Sequence, residues 1–156
     1  MQGSLGRNAI MGFIAAAIAV VTAHEAILYV LVNYLGLLPP AVRAWNMAPY
    51  GPYGVPQIVN GMFWGGLWGV LFALIFSKLP GSSPWLKGLI FGLFIPVVSN
   101  WTLLPLIRGK VFGVTNPAQT AFFSGGDPKR MLAVLLILGG FGLALGILYG
   151  LLNKKA

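Results

Sequence analysis

The stretch Met131-Leu-Ala-Val-Leu-Leu-Ile-Leu-Gly-Gly-Phe-Gly-Leu-Ala-Leu-Gly-Ile-Leu-Tyr-Gly-Leu-Leu152 contains no charged residue and no proline. A helix crosses the hydrocarbon core of a bilayer with about 20 apolar residues, and this run is long enough. Three similar runs precede it. Together the four lie at about 9–38, 58–77, 86–107 and 131–152. None alternates in polarity, as the strands of a membrane barrel would. Backbone groups in lipid must pair within their own segment, so helices are the expected form. The sequence therefore predicts an all-α, polytopic membrane protein. Residues 1–156 form one domain of four transmembrane helices joined by ordered, aromatic and proline-rich loops.

Composition leads to the same class. Of 156 residues, 58% are hydrophobic and only 8% charged, and the mean hydropathy is +0.86. A soluble domain would be about one-quarter charged, so these few charges cannot cover a water-facing surface. Ten Lys and Arg oppose two acids, giving a net charge of +8. The basic residues stand at the ends of the apolar runs, where they meet lipid headgroups. No basic helix face or stacking platform is present, so nucleic acid is not an expected partner.

Arg7 followed by an apolar stretch ending Val21-Thr22-Ala23 has the outline of a signal peptide. Apolar character resumes at Ala26 and runs to Leu38, so a retained first helix is expected. Between the first two runs lies Met47-Ala-Pro-Tyr-Gly-Pro-Tyr-Gly-Val-Pro56, which proline and glycine keep out of a helix. Trp45, Tyr50 and Tyr53 suit the headgroup level. This segment reads either as an ordered lid on the bundle or as an interfacial linker. The connection from Lys78 to Trp85 is a tight hairpin. In the third connection, Thr115-Asn116-Pro117 reads as a cap and first-turn proline for a short helix over Ala118 to Phe123, ended by Gly125 and Gly126.

Topology is balanced on charge. Arg7, Lys78, Lys87, Lys154 and Lys155 fall on one side; Arg43, Arg108, Lys110, Lys129 and Arg130 fall on the other. Basic residues mark the cytoplasmic side, and here the count ties at five each. Both termini are placed in the cytoplasm, because the second loop and the C-terminal tail hold their charges tightly against helix ends.

Small residues recur at four-residue spacing. The second run carries Gly61, Gly65 and Gly69, the fourth Gly142, Gly146 and Gly150, and the third Gly88 and Gly92. The first has Gly12, Ala16, and Ala19 or Ala23. Such spacing lines one helix face with small residues and lets backbones approach closely. These faces are expected to hold the bundle together or to join it to a neighbour. Gly65-Gly-Leu-Trp-Gly69 and Gly146-Ile-Leu-Tyr-Gly150 also share the pattern Gly-x-Leu-aromatic-Gly, which a duplicated hairpin would produce.

His24 and Glu25 lie within the first run, where ionisable groups are costly and face the bundle interior or a partner. Ser99, Asn100 and Asn60 fall on the same half of the membrane, and Pro96 frees the Gly92 carbonyl. His24, Glu25, Asn60, Ser99 and Asn100 are thus the candidates for an intramembrane polar network. Adjacent helical residues point about 100° apart, so His24 and Glu25 are expected to face different neighbours. Three readings fit. Glu25 carries protons in a small coupled transporter; His24 ligates haem or contacts a quinone; or both fix helix register. The single His and absent Cys exclude a bis-His haem or a zinc site within the chain, so a metal at His24 would need ligands from a partner. Paired carboxylates, a nucleophile–histidine–acid set and a phosphate loop are absent, so no enzyme is expected.

Met47-Ala-Pro…Gly54-Val-Pro56, Phe63-Trp-Gly-Gly-Leu-Trp-Gly69 and Pro84-Trp-Leu-Lys-Gly88 resemble a family of small, uncharacterised four-helix bacterial membrane proteins. The resemblance covers about residues 45–110 and implies a bacterial inner-membrane location but no activity. In architecture alone, four helices with a carboxylate in the first are similar to the small multidrug resistance transporters. The leading expectation is a non-catalytic inner-membrane subunit with no cofactor. It packs through its glycine faces against itself or a larger complex, respiratory or photosynthetic.

Overall fold

Four helices in the computed structural model are long and apolar enough to cross a membrane: Leu5–Asn33, Gln57–Lys78, Pro84–Lys110 and Pro128–Asn153. The structure describes residues 4–50, 53–111, 113–116 and 120–154. The first long helix is composite, with α1 (Leu5–Ala19), a five-residue π-helical turn (Val20–His24) and α2 (Glu25–Asn33). A minimal hairpin follows, β1 (Pro49–Tyr50) against β2 (Val55–Pro56). Then come α3 (Gln57–Ile75), α4 (Pro84–Val98), a second π-helical turn (Ser99–Leu103), α5 (Leu104–Lys110) and α6 (Pro128–Lys154).

The helix ends have local causes. Ser4 caps α1, its hydroxyl accepting from the Arg7 N–H at 3.3 Å. The first apolar run continues to Leu38, but the helix stops at Asn33. Gly36 takes a left-handed φ of 58°. The Leu37 N–H then reaches back to the Leu31 carbonyl at 3.0 Å, one residue further than the bond that usually follows such a glycine at a helix end. Leu37 and Leu38 fold back onto Leu31, Ala133 and Ile137, so the end of the run is apolar because it packs, without being helical. Lys87 closes the second connection by donating to the Phe76 carbonyl at 3.0 Å while lying over the Phe76 ring. In the third connection, the proposed helix over Ala118 to Phe123 falls partly on residues 117–119, outside the described residues. Beyond them Ala121 is extended, and Phe123 to Gly126 run through left-handed conformations.

Glycine contacts set the helix pairing. A Cβ added at Gly12 of α1 would fall on the Gly69 carbonyl oxygen of α3, and one at Gly69 on the Gly12 carbonyl oxygen. Gly65 and Gly61 face Val20 on the same side. In the second half, Gly88 and Gly92 of α4 meet Gly142 and Gly146 of α6 backbone to backbone, and Gly150 meets the Pro84 ring. All eight glycines of these faces are therefore closed by another helix of the same chain. A neighbouring protein would have to dock elsewhere. α1 also lies along α6, and the core between the halves combines Ala15, Ala16 and Ala19 with Phe72, Phe91, Phe141, Leu145 and Tyr149. Phe72 touches both Phe91 and Tyr149, with ring centroids 5.2 and 5.6 Å apart.

The two hairpins share one plan. Each opens with 15 α-helical residues, a five-residue π-helical turn and a short α-helix. Each then returns through a loop that sets an aromatic residue in left-handed backbone: Trp45 (φ 48°) in the first and Phe123 (φ 49°) in the second.

Gly69→Leu should destabilise the fold by about 1–3 kcal/mol or more, because the side chain must displace the α1 backbone. Gly6→Leu, where nothing lies within 4 Å, should change little. Thermal unfolding in detergent followed by circular dichroism distinguishes the two; equal melting curves would contradict the Gly12–Gly69 contact.

Candidate functional site

The polar chemistry of the first hairpin gathers at its π-helical turn. Such a turn widens the backbone spiral and leaves carbonyls without their usual helical donors. Thr22 Oγ1 donates to the Ile18 carbonyl at 2.8 Å. The Trp45 indole Nε1–H donates to the Val21 carbonyl at 2.8 Å. Glu25, the first residue beyond the turn, is 7% exposed. Its Oε2 accepts the Trp45 backbone N–H at 2.6 Å, and its Oε1 accepts from His24 Nδ1 at 3.0 Å.

Trp45 is thus bonded to the first helix twice, through its main chain and its ring, and its ring also lies 6.0 Å from that of Tyr29. The two bonds hold a residue whose left-handed φ is unfavourable for a tryptophan. From there the chain reaches the start of α3. Asn46 Oδ1 accepts from the Ala48 N–H, and Asn46 Nδ2 donates to Gln57 Oε1 at 2.7 Å. The Asn46 and Ala48 carbonyls accept from the Ile58 and Gln57 N–H groups, each at 3.0 Å. Those two donors have no partner within α3, as at any helix start. Residues 45–48 therefore form a strap that fastens the middle of the first helix to the beginning of the second.

Of the five polar candidates, the structure joins two. His24 and Glu25 bond to each other, although they are adjacent in the helix. Glu25 turns to the strap, while the His24 side chain remains 28% exposed. Among the described residues, neither His24 nor Glu25 is hydrogen-bonded to Asn60, Ser99 or Asn100. Asn60 and Ser99 are half-buried, and Asn100 is exposed. No group of three potential metal ligands gathers among the described residues, so His24 could hold a metal only with ligands from outside the chain.

The second π-helical turn has different surroundings. It lies between Pro96 and Pro105, which lack the N–H that an α-helix would use. Thr102 Oγ1 donates to the Val97 and Val98 carbonyls at 2.7 and 2.6 Å. Trp101 is buried beneath Phe123, ring centroids 5.6 Å apart, and its indole N–H has no hydrogen-bond partner among the described residues. Its strap is thus an aromatic contact, where the first is a set of hydrogen bonds.

Sequence reasoning placed Trp45 with Tyr50 and Tyr53 at the headgroup level. All three are exposed, and Trp45 is in addition the anchor of the site. Protein-family models, curated proteins and solved structures yield no match to this chain.

Glu25→Ala should release the strap. A hydrogen bond to a charged group contributes about 1.5–3 kcal/mol, so amide exchange at Trp45 should rise roughly tenfold or more. Trp45→Phe, which keeps a ring but removes the indole N–H, should give a smaller increase at Ala48. Hydrogen exchange with mass spectrometry reads both, and unchanged protection in Glu25→Ala would mean that something other than the carboxylate holds the strap.

Proposed function

We propose that this chain is a non-catalytic, integral subunit of the bacterial inner membrane, with four transmembrane helices and both termini in the cytoplasm. It works by associating with itself or with a larger membrane complex. The observation that carries this reading is the use made of Glu25. Both carboxylate oxygens are engaged, one by the Trp45 main chain and one by His24. A carboxylate held this way fixes the entry of the second helix against the first. The cost of burying an ionisable group is offset by the bonds through which the strap holds the first two long helices in register.

The apolar outer surface fits the same reading. Ile14, Ile18, Leu67, Leu71, Leu136 and Ile147 all point outward along the long helices, as lipid-facing side chains do.

A proton-coupled transporter is the second reading, favoured by the partly open His24 beside Glu25. Gln at position 25 keeps a carbonyl that accepts from Trp45 but cannot exchange a proton. The membrane-subunit reading therefore expects Glu25→Gln to fold and to co-purify with the same membrane proteins as wild type. Native mass spectrometry from membranes measures this. Flux of a substrate into proteoliposomes that follows pH and vanishes in Glu25→Gln would replace the subunit reading with the transporter.

A further inference from the structure

Trp45 is bonded to the first long helix in two ways, and only one of them can titrate. Its indole N–H donates to the Val21 carbonyl, a pair of neutral groups at any pH. Its main-chain N–H donates to Glu25 Oε2 at 2.6 Å. A hydrogen bond to an ionised carboxylate is about twice as strong as one between neutral groups. The second bond is therefore at full strength only while Glu25 is charged. Trp45 also has a left-handed φ of 48°, which persists only where the surroundings hold it. Its main chain is set to move when that bond weakens.

His24 offers a proton a path to this site. Glu25 is 7% exposed, whereas the His24 side chain beside it is 28% exposed, with Nδ1 3.0 Å from Oε1. An imidazole both binds protons and passes them on. The first proton added to the pair makes an imidazolium that still donates to the carboxylate, so the Trp45 bond stays in place. The second protonates the carboxyl group. That group then faces two N–H donors, at His24 and Trp45, with one carbonyl oxygen to accept them.

The neighbouring elements bring no competing charge. α3 from Gln57 to Ile75 and α6 from Met131 to Leu148 contain no ionisable side chain other than those of neutral character. α6 meets this region through Gly140 at Ile27 and through Ala133 and Ile137 at Leu31. Lys129 and Arg130 precede Ala133, and Arg130 pairs with Asp127. Arg43, two residues before Trp45, is exposed and makes no ion pair among the described residues. In α2, Tyr29 lies against the Trp45 ring.

We propose that Glu25 and His24 form a pH-operated latch on the strap. While Glu25 is charged, it holds the Trp45 main chain. As pH falls and the pair takes up its second proton, Trp45 leaves its left-handed conformation. The indole bond to Val21 remains as a pivot. The Asn46 and Ala48 carbonyls accept from the Ile58 and Gln57 N–H groups, so they move with the strap and the start of α3 loosens. The latch needs neither substrate nor gradient, which separates it from the transporter reading. It works whatever the chain associates with.

Amide exchange measured by NMR on the full chain in detergent micelles tests the latch. Protection factors, which remove the intrinsic pH dependence of exchange, are compared between about pH 8 and pH 4, the range of ordinary histidine and carboxylate titration. Wild-type protection at Trp45 should fall roughly tenfold as pH drops, and Gln57 and Ile58 should follow at the same pH. Glu25→Gln supplies a permanently neutral acceptor. Its protection at Trp45 should match the low-pH wild-type value and stay flat with pH. His24→Asn keeps a donor to Glu25 and should retain the response. Flat wild-type protection at Trp45 overturns the latch without any substitution. A response that persists in Glu25→Gln, or that vanishes in His24→Asn, makes the imidazole the sensor and also overturns it. A responding Trp45 beside steady Gln57 and Ile58 overturns the link to α3. Each of these results leaves the subunit reading standing, since co-purification tests that separately.

Discussion

Everything in this architecture depends on bringing helix backbones into contact. Gly12 and Gly69 present carbonyl oxygens to each other's Cα, as do Gly88 and Gly142, while Gly92 meets the Leu138 carbonyl and Gly146 the Pro84 carbonyl. For any helices in lipid, where no water drives apolar faces together, close van der Waals packing is a main source of association. Such contacts are intolerant, since one methyl group has nowhere to go. They fix which helices pair, and so which surfaces remain for other purposes.

The π-helical turns are the second constraint. Each interrupts a long helix after 15 residues and leaves carbonyls to be satisfied. The two halves solve this differently. In the first, a threonine hydroxyl and the Trp45 indole take the carbonyls, and Glu25 fastens the Trp45 main chain in return. In the second, Thr102 serves two carbonyls, and Phe123 covers Trp101. One plan thus yields one strap held by directional bonds and one held by ring contact. The polar bonds confine the first strap to a single register, which an aromatic contact cannot do so strictly.

Much of the fold was legible in the residues. The four helices follow from run length and the absence of charge. The glycine spacing announces close approach. The end of the first helix was placed too late, because Leu37 and Leu38 are apolar for packing on Leu31. A run of apolar residues reports burial, and burial does not require a helix. The site was legible only in part. His24 and Glu25 stand out as ionisable groups in an apolar run, but their link to Trp45 spans 20 residues, and no local pattern encodes it. Pro96 and Pro105 hint at the second π-helical turn, whereas the first has no proline to signal it.

The sequence by itself determined the class of structure, since hydrophobic length and sparse charge allow few alternatives to helices apolar enough to span a membrane. It also determined that glycines would line helix faces, because four-residue spacing is a property of the helix alone. Only the tertiary structure decided which face each ladder met. A glycine face is complementary to any other, inside or outside the chain, and the outcome depends on which helices the connections bring together. The structure alone decided, too, that Glu25 would turn to the strap and Asn100 would turn outward. A side chain's direction relative to the bundle depends on where the π-helical turns shift the helix phase, and that phase is set by packing across the whole molecule.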